Sequence, residues 1–190
     1  MLLPLIALLL SSFLPSSLSV NQIEDELNRL FLTPTPAAIS PFPKNEVLPF
    51  GLYQVVRVVD GDTIVVTMHE KSVTVRLIGV NTPETVDPRN PVQCFGREAS
   101  DFLKGLLSEK NVLLQTDSSQ DMYDRYNRLL AYVFLEDGTN VNLSLIAQGY
   151  AYEYTYDKPY QYQEDFRKAQ ETAEKETKGL WNPATCNGKQ

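Results

Sequence analysis

Residues 53–78 read YQVVRVVDGDTIVVTMHEKSVTVRLI, a pattern typical of consecutive β-strands. Two runs rich in β-branched residues, 53–59 and 63–68, flank the sequence Asp60-Gly61-Asp62. An Asp-Gly turn between two such runs is a signal for a β-hairpin. Over residues 72–78 apolar and polar side chains alternate, which is typical of a strand with one buried face. We therefore predict three antiparallel strands joined by short turns.

The following sequence predicts a helix and then two more strands. Apolar residues recur at helical spacing over residues 97–109, and short β-type runs follow at 112–115 and 129–135. Two further helices are predicted, one from Asn140 to Gly149 and one over 161–178. Five short strands with a helix inserted between the third and fourth fit an OB-type β-barrel. The predicted fold class is thus mainly β with helices, a five-stranded OB-fold barrel plus three α-helices.

Composition divides the chain into four segments. Residues 1–19 are apolar and contain serines, which is typical of a secretory signal peptide; an uncleaved N-terminal anchor is the alternative. Residues 20–50 are a Pro-rich linker, within which 21–32 have the spacing of a short amphipathic helix. The folded domain is predicted over 51–183, with a C-terminal tail at 184–190. We expect export, with the protein either secreted or held in the cell envelope.

The overall charge argues against passive binding of nucleic acid. The 190 residues include 24 acidic and 17 basic side chains, which gives a net charge of −7. Proteins that bind nucleic acid by neutralising phosphates are usually basic. Binding of nucleic acid by this chain would therefore need a local positive site or a bound cation.

Two cysteines, Cys94 and Cys186, have a spacing that matches no zinc motif. In an exported chain two cysteines suggest a disulfide, here one that ties the segment before the first helix to the C-terminal tail. Two unpaired thiols are the alternative.

Several catalytic mechanisms are excluded by residues that the chain lacks. His69, in a predicted exposed turn, is the only histidine, which strongly disfavours a His general base, a His-metal cluster or a Ser-His-Asp triad. No Gly-rich phosphate loop followed by Lys-Ser or Lys-Thr is present. The remaining chemistry belongs to carboxylates, arginines and hydroxyls, which suit hard cations and phosphates.

Three segments supply those groups: 59–63 (VDGDT), 75–85 (VRLIGVNTPET) and 124–132 (DRYNRLLAY). Each segment alone has an ordinary structural explanation, since Asp-Gly-Asp is a common turn and Thr-Pro-Glu a common helix start. Their combination, in this order and on this strand pattern, is much more specific. With these segments, the chain resembles the staphylococcal nuclease (thermonuclease) family from about residue 53 to residue 181.

The resemblance implies calcium-dependent cleavage of DNA and RNA that leaves 3′-phosphate ends. It implies that calcium is bound by Asp62, by the backbone carbonyl of Thr82 and, at the neighbouring position, by Asn81. Arg76, Glu84 and Arg128 would be the catalytic residues, with Asp60 supporting the metal loop. Glu84 would hold or deprotonate the attacking water, while the arginines would grip the phosphate and stabilise the charge of the transition state. Oxygen ligands suit calcium, and the planar arginine fork matches phosphate oxygens.

Two positions depart from the family pattern. Asn81 stands where the family commonly has Asp, so we expect weaker calcium binding rather than loss of activity. Asn127 stands where Gly is usual before Arg128, and Asn tolerates a positive φ better than most residues.

An aromatic stretch follows the second predicted helix, with tyrosines at 150, 152, 154 and 156. Stacking on bases, for which Tyr154 and Tyr156 are the candidates, and packing against the barrel are both open. DNA and RNA are the expected partners of a monomeric enzyme without an obligate protein partner, and the membrane is contacted only if the N-terminal segment is retained. The alternatives to an enzyme are a catalytically impaired module that binds nucleic acid or protein, which Asn81 favours, and an envelope protein that uses the barrel as a scaffold.

Overall fold

A computed structural model describes residues 51–85 and 93–189 of the chain. The predicted signal or anchor at 1–19 and the linker at 20–50, with its helical stretch, lie outside the described residues. Within the described ranges, no helix has both the length and the apolar character that crossing a membrane requires.

The described residues form three α-helices, a short 3₁₀ helix and seven strands. The helices are α1 (Gly96–Leu107), α2 (Val141–Ala147) and α3 (Gln163–Lys175), followed by the 3₁₀ helix Gly179–Trp181. The strands are β1 (Tyr53–Asp60), β2 (Thr63–Met68), β3 (Lys71–Leu77), β4 (Val80–Asn81), β5 (Asn111–Gln115), β6 (Leu129–Phe134) and β7 (Tyr152–Glu153). The three helices and the five long strands were predicted from the sequence to within a few residues at each end.

Five of the strands close into a barrel with the order β1-β2-β3-β6-β5. Neighbouring strands are antiparallel except for β3 and β6, which run parallel. The Asp-Gly hairpin is present between β1 and β2, where Asp60 pairs with Thr63. The observed architecture confirms the predicted five-stranded barrel with three helices.

A second, two-stranded sheet was not predicted. In it β4 pairs with β7, Val80 with Glu153 and Asn81 with Tyr152. Each strand is two residues long, so neither shows the alternation by which strands are recognised in a sequence. The pairing fixes the backbone of Asn81 beside the segment that carries the tyrosines.

One buried polar side chain joins α2 to β6 and to the residue that follows β3. Asn142 is fully buried; its Oδ1 accepts a hydrogen bond from the Val133 N–H at 2.9 Å. Its Nδ2 donates to the Ile78 carbonyl at 2.8 Å. Buried polar groups are stable only when they are hydrogen-bonded, and here the bonds fix the chain just beyond the end of β3. This role could not be predicted from the sequence, since a polar residue in a short helix is usually exposed.

A buried carboxylate joins the segment after β5 to β6 and to the start of α3. Asp117 accepts hydrogen bonds from the Tyr132 hydroxyl at 2.7 Å and from the Gln161 N–H at 2.8 Å. The Ser119 N–H and hydroxyl donate to it at 2.9 and 2.8 Å. Burial alone would raise the pKa of Asp117, but the hydrogen bonds outweigh burial and lower it.

Asp117→Asn is expected to lower the free energy of unfolding at pH 7 by about 2 kcal/mol, because an amide cannot accept all these bonds. A lowered pKa in the folded state stabilises the protein above the ordinary pKa of 3.8, and this contribution is lost as the pH falls through the folded-state value. In urea unfolding, the difference in free energy of unfolding between wild type and Asp117→Asn should therefore become smaller at acid pH. Asp101→Asn, at an exposed position of α1, is the control and should have an effect below about 0.5 kcal/mol. Equal stability of Asp117→Asn and wild type at pH 7 would contradict this assignment.

The predicted disulfide between Cys94 and Cys186 is present and joins the segment before α1 to the C-terminal residues, with a Cα–Cα distance of 5.9 Å. His69 lies exposed in the turn between β2 and β3, as predicted. Trp181 is half-buried and packs edge-on against Tyr152 with ring centroids 5.2 Å apart.

Candidate active site

The β1–β2 turn brings a carboxylate and an arginine together. Thr63 pairs with Arg76 across β2 and β3, which places the guanidinium beside the turn. Arg76 Nη2 lies 3.0 Å from Oδ2 of Asp62. The Thr63 hydroxyl and the Thr82 N–H also donate to the Asp62 carboxylate, at 2.9 and 3.3 Å. The carboxylate is thus held by groups from β2, β3 and the segment after β4.

Arg76 is oriented by carbonyl groups as well as by charge. Its Nη1 donates to the Val80 carbonyl at 2.7 Å and to the Leu77 carbonyl at 3.2 Å. The side chain is 14% exposed, so its charge is partly shielded from water. The planar donor fork of arginine matches pairs of phosphate oxygens, so a guanidinium fixed in this way suits phosphate binding.

The groups that suit a cation near Asp62 are all oxygens. Thr82 is buried, and its Oγ1 has no hydrogen-bond partner. It lies against Gly61, where a Cβ would be 2.8 Å from Oγ1, so the turn must approach without a side chain. Asn81, which precedes Thr82 in the chain, is half-buried in β4, and its side chain carries an amide oxygen. Hard cations such as calcium take carboxylate, amide, hydroxyl and carbonyl oxygens, so this donor set fits one.

Within residues 51–85 and 93–189, no three His, Cys, Asp or Glu side chains form a group that could hold a metal. Of the predicted ligands only Asp62 carries a charge, so any cation here would depend on neutral oxygens and water for the remaining positions.

Glu84 and Asp60 are linked through Thr85. The Thr85 N–H donates to Glu84 Oε1 at 2.9 Å, and the Thr85 hydroxyl donates to Asp60 Oδ1 at 2.6 Å. Burial raises the pKa of Asp60 to about 6, against the effect of hydrogen bonds from Thr85 and Gly61; Glu84 and Asp62 raise it further. Asp60 therefore ties the β1–β2 turn to Thr85 through its bonds to the Gly61 N–H and the Thr85 hydroxyl.

Arg128 is held by a carboxylate four residues before it. Its Nε and Nη2 both lie 2.6 Å from Oδ2 of Asp124. The backbone N–H groups of Tyr126 and Arg128 donate to Oδ1 of the same residue, each at 2.9 Å. Burial opposes ionisation, but these bonds and the positive charge of Arg128 lower the pKa of Asp124. Asn127 adopts φ 60°, so the prediction that it would tolerate the turn usually made by Gly is confirmed.

A cleft of about 630 Å³ contains both arginines. Its lining also includes the two candidate tyrosines and Asn81, so the structure brings these five predicted residues together: Arg76, Asn81, Arg128, Tyr154 and Tyr156. Asp62, Thr82 and Glu84 lie outside that lining. Arg76 connects the two groups, because it faces the cleft and contacts Asp62.

The four tyrosines of the aromatic stretch divide into two pairs. Tyr150 stacks on Phe102 with ring centroids 4.1 Å apart, and Tyr152 packs on Trp181. Tyr154 and Tyr156 are 43% and 73% exposed and line the cleft. Tyr150 and Tyr152 therefore pack within the domain, and stacking on bases stays a prediction for Tyr154 and Tyr156.

Three residues near the site received no role from the sequence. Asp124 orients Arg128, and the spacing of four residues between them is the signal that could have shown it. The ring of Tyr126 makes cation–π contacts with both arginines of its loop. Its centroid lies 4.8 Å from Cζ of Arg125 and 5.2 Å from Cζ of Arg128. Gln93 contacts Glu84 from nine residues away, and no local pattern indicates such a contact.

Comparison with known proteins gives consistent matches over this region. The family model described as staphylococcal nuclease homologue matches residues 74–183. A thermonuclease of Staphylococcus hyicus is 46% identical over 131 residues, 68% of this chain and 75% of that protein. A thermonuclease of Staphylococcus intermedius is 40% identical over 142 residues, 74% of this chain and 83% of that protein. The SPbeta prophage-derived endonuclease YokF of Bacillus subtilis (strain 168) is 39% identical over 127 residues, 66% of this chain and 42% of that protein.

Proposed function

This chain belongs to the staphylococcal nuclease homologue family and is a nuclease, and we propose that it is a secreted, calcium-dependent endonuclease. It hydrolyses phosphodiester bonds of DNA and RNA and leaves 3′-phosphate ends. The observation that carries this proposal is the position of Arg76, which contacts the carboxylate of Asp62 and lines the same cleft as Arg128. A carboxylate suited to binding a cation thus lies near two arginines, in a region where a bound phosphate would contact all three side chains.

Calcium would be held by Asp62, by Asn81 and by the carbonyl of Thr82. When bound, it supplies positive charge that stabilises the negative charge of the reacting phosphate and lowers the pKa of water. The donor chemistry described above supports this assignment, together with the partnerless buried hydroxyl of Thr82.

The three proposed catalytic residues divide the remaining work. Glu84 takes a proton from the attacking water, for which a carboxylate needs only the right distance and a suitable pKa. Arg76 and Arg128 donate hydrogen bonds to the phosphate oxygens as negative charge grows on them. Their partners Asp62 and Asp124 hold the two forks in place before substrate arrives, so little reorganisation is needed.

The charge of the cleft lining supports binding of nucleic acid by a chain that is acidic overall. Its lining has four cationic residues (Arg76, Arg125, Arg128, Lys158) against three acidic ones (Asp121, Asp124, Asp157), a balance opposite in sign to the net charge of −7. Tyr154 and Tyr156 offer exposed rings on which bases stack whatever their identity. This arrangement supports single-stranded DNA and RNA as substrates of a monomer that needs no protein partner.

Export is part of the same proposal. The disulfide between Cys94 and Cys186 is of the kind that persists in oxidising compartments. Together with the signal-like residues 1–19 it supports secretion, or attachment to the envelope if that segment is retained.

The test is an end-group determination on the reaction products. Full-length protein is incubated with labelled single-stranded DNA and with RNA, in calcium and in chelator. We expect cleavage in calcium and none in chelator. Because a 3′-phosphate blocks extension, a polymerase should extend the fragments only after phosphatase treatment. Fragments that are extended without phosphatase would carry 3′-hydroxyl ends and would contradict the proposed chemistry.

Asn81→Asp is expected to lower the calcium concentration needed for half-maximal cleavage by about tenfold, because a charged ligand binds calcium more tightly than an amide. The measurement is a calcium titration of the initial cleavage rate. Asn111→Asp, which adds the same charge at an exposed end of β5, is the matched control and should leave the midpoint in place. Identical midpoints for wild type and Asn81→Asp would remove Asn81 from the calcium site.

A further inference from the structure

The segment that carries Glu84 is hydrogen-bonded to Gln93, which lies just before the start of α1. The Glu84 N–H donates to Gln93 Oε1 at 2.7 Å, and the Gln93 N–H donates to the Glu84 carbonyl at 2.9 Å. Both bonds join the backbone of Glu84, one to the side chain and one to the backbone of Gln93. The backbone from which the Glu84 carboxylate projects is therefore fixed by Gln93.

The start of α1 lies directly against the same segment. A Cβ at Gly96 would lie 2.9 Å from the Pro83 carbonyl oxygen, 3.2 Å from that of Glu84 and 2.7 Å from the Thr85 methyl carbon. The Gly96 N–H in turn donates to the Gln93 carbonyl at 3.1 Å. Only glycine permits this approach, so a displacement of the helix start would move Glu84 with it.

Cys94 anchors Gln93 to a fixed part of the chain. It follows Gln93 directly and is bonded to Cys186, which is buried. The segment after Cys186 is fixed in turn, because the Gly188 N–H donates to the carbonyl of Leu180 at 2.9 Å, and Leu180 is fully buried. The bridge thus connects the contact with Glu84 to the packed C-terminal end of the domain.

We propose that Gln93 is a positioning residue for Glu84 and that the Cys94–Cys186 bridge holds Gln93 in the place where it does this. This inference rests on the proposed function, in which Glu84 takes a proton from water. A group that transfers a proton must lie within hydrogen-bond reach of it, and a displacement of about 1 Å can lower a rate by about a hundredfold.

Positioning can be separated from substrate binding. Gln93 and Cys94 are not among the residues that line the cleft, whereas both arginines and the two exposed tyrosines are. Arg76 and Arg128 are held by Asp62 and Asp124, not by Gln93. Loss of Gln93 or of the bridge should therefore lower kcat and leave KM for nucleic acid unchanged.

The first arm of the test uses two substitutions of similar size at position 93. Gln93→Met removes the acceptor for the Glu84 N–H and should lower kcat by tenfold or more, about a hundredfold at most. Gln93→Glu keeps a side-chain oxygen at the same reach and should recover most of that loss. A kcat for Gln93→Met equal to that of wild type would overturn the proposal, as would an equal loss in both variants.

The second arm removes the bridge with the double substitution Cys94→Ala and Cys186→Ala. We expect a lower melting temperature and, in assays well below it, a lower kcat with unchanged KM. Val112→Ala, at a fully buried position of β5, is the control for stability alone; it should lower the melting temperature and keep the wild-type kcat. A double variant that loses stability but keeps kcat would show that the bridge has no positioning role.

Glu84→Gln separates failure of this inference from failure of the proposed function. If Glu84→Gln keeps the wild-type kcat, the proposed role of Glu84 is wrong and there is no base to position. If Glu84→Gln loses activity while Gln93→Met and the double cysteine variant keep it, only the positioning inference fails. In the Glu84→Gln background, Gln93→Met should cause no further loss, because the group that it positions is already gone.

Discussion

Glu84→Gln is expected to lower kcat for cleavage of single-stranded DNA by about a thousandfold, which lies within the range that general base catalysis contributes. The amide has nearly the shape of the carboxylate and keeps the oxygen that accepts the Thr85 N–H. What it loses is the ability to take a proton from water. KM should change little, because Glu84 lies outside the lining of the cleft that binds the substrate.

The matched control for this prediction is Glu136→Gln, which makes the same chemical change at an exposed residue after β6. It should retain the wild-type rate. Initial rates at saturating substrate, with melting temperatures of all three proteins, make the comparison. A Glu84→Gln enzyme with more than about a tenth of the wild-type kcat would be too active for the loss of a general base.

Arg128→Ala is expected to lower kcat/KM by about a thousandfold, because it removes a fork of donors aimed at the charge of the transition state. Arg128→Lys keeps the positive charge and loses the planar fork, so it should recover only part of the rate. Both substitutions leave Asp124 without its two bonds to Nε and Nη2. For that reason the melting temperature must be measured with the rate.

Arg97→Ala is the control for the loss of an arginine, since Arg97 is exposed on α1. It should leave kcat/KM unchanged. If Arg128→Lys is as active as wild type, a point charge is sufficient at this position and the fork has no role. If Arg128→Ala is also as active, Arg128 does not contact the phosphate during the reaction.

The barrel could be predicted from the sequence because its signals are local. Alternation over residues 72–78 and the Asp-Gly turn before Asp62 each lie within one hairpin. The pairing of β4 with β7 could not be predicted in this way, because two-residue strands have no period and their partners are far apart in sequence. The buried Asn142 was missed for a related reason: its bonds go to Val133 and Ile78, and only the fold brings these groups together.

In the candidate site too, some features could be predicted from local sequence and others depend on contacts that only the fold creates. The types of residue that suit phosphate chemistry could be recognised in three short segments, and their roles were implied by resemblance to a family. The contacts that hold those residues could not, because Asp124 reads as an ordinary turn residue and Gln93 as an ordinary polar one. Only the structure shows that the first fixes Arg128 and that the second contacts Glu84.

The proposed mechanism is tested most directly by the single-turnover rate of DNA cleavage by full-length wild type and Glu84→Gln, in calcium and in chelator. We expect fast cleavage by wild type in calcium, no cleavage by either protein in chelator, and a rate for Glu84→Gln in calcium that is about a thousandfold lower than that of wild type. Cleavage by wild type at the same rate in chelator would contradict the calcium site at Asp62, and equal rates of the two proteins in calcium would contradict the role of Glu84.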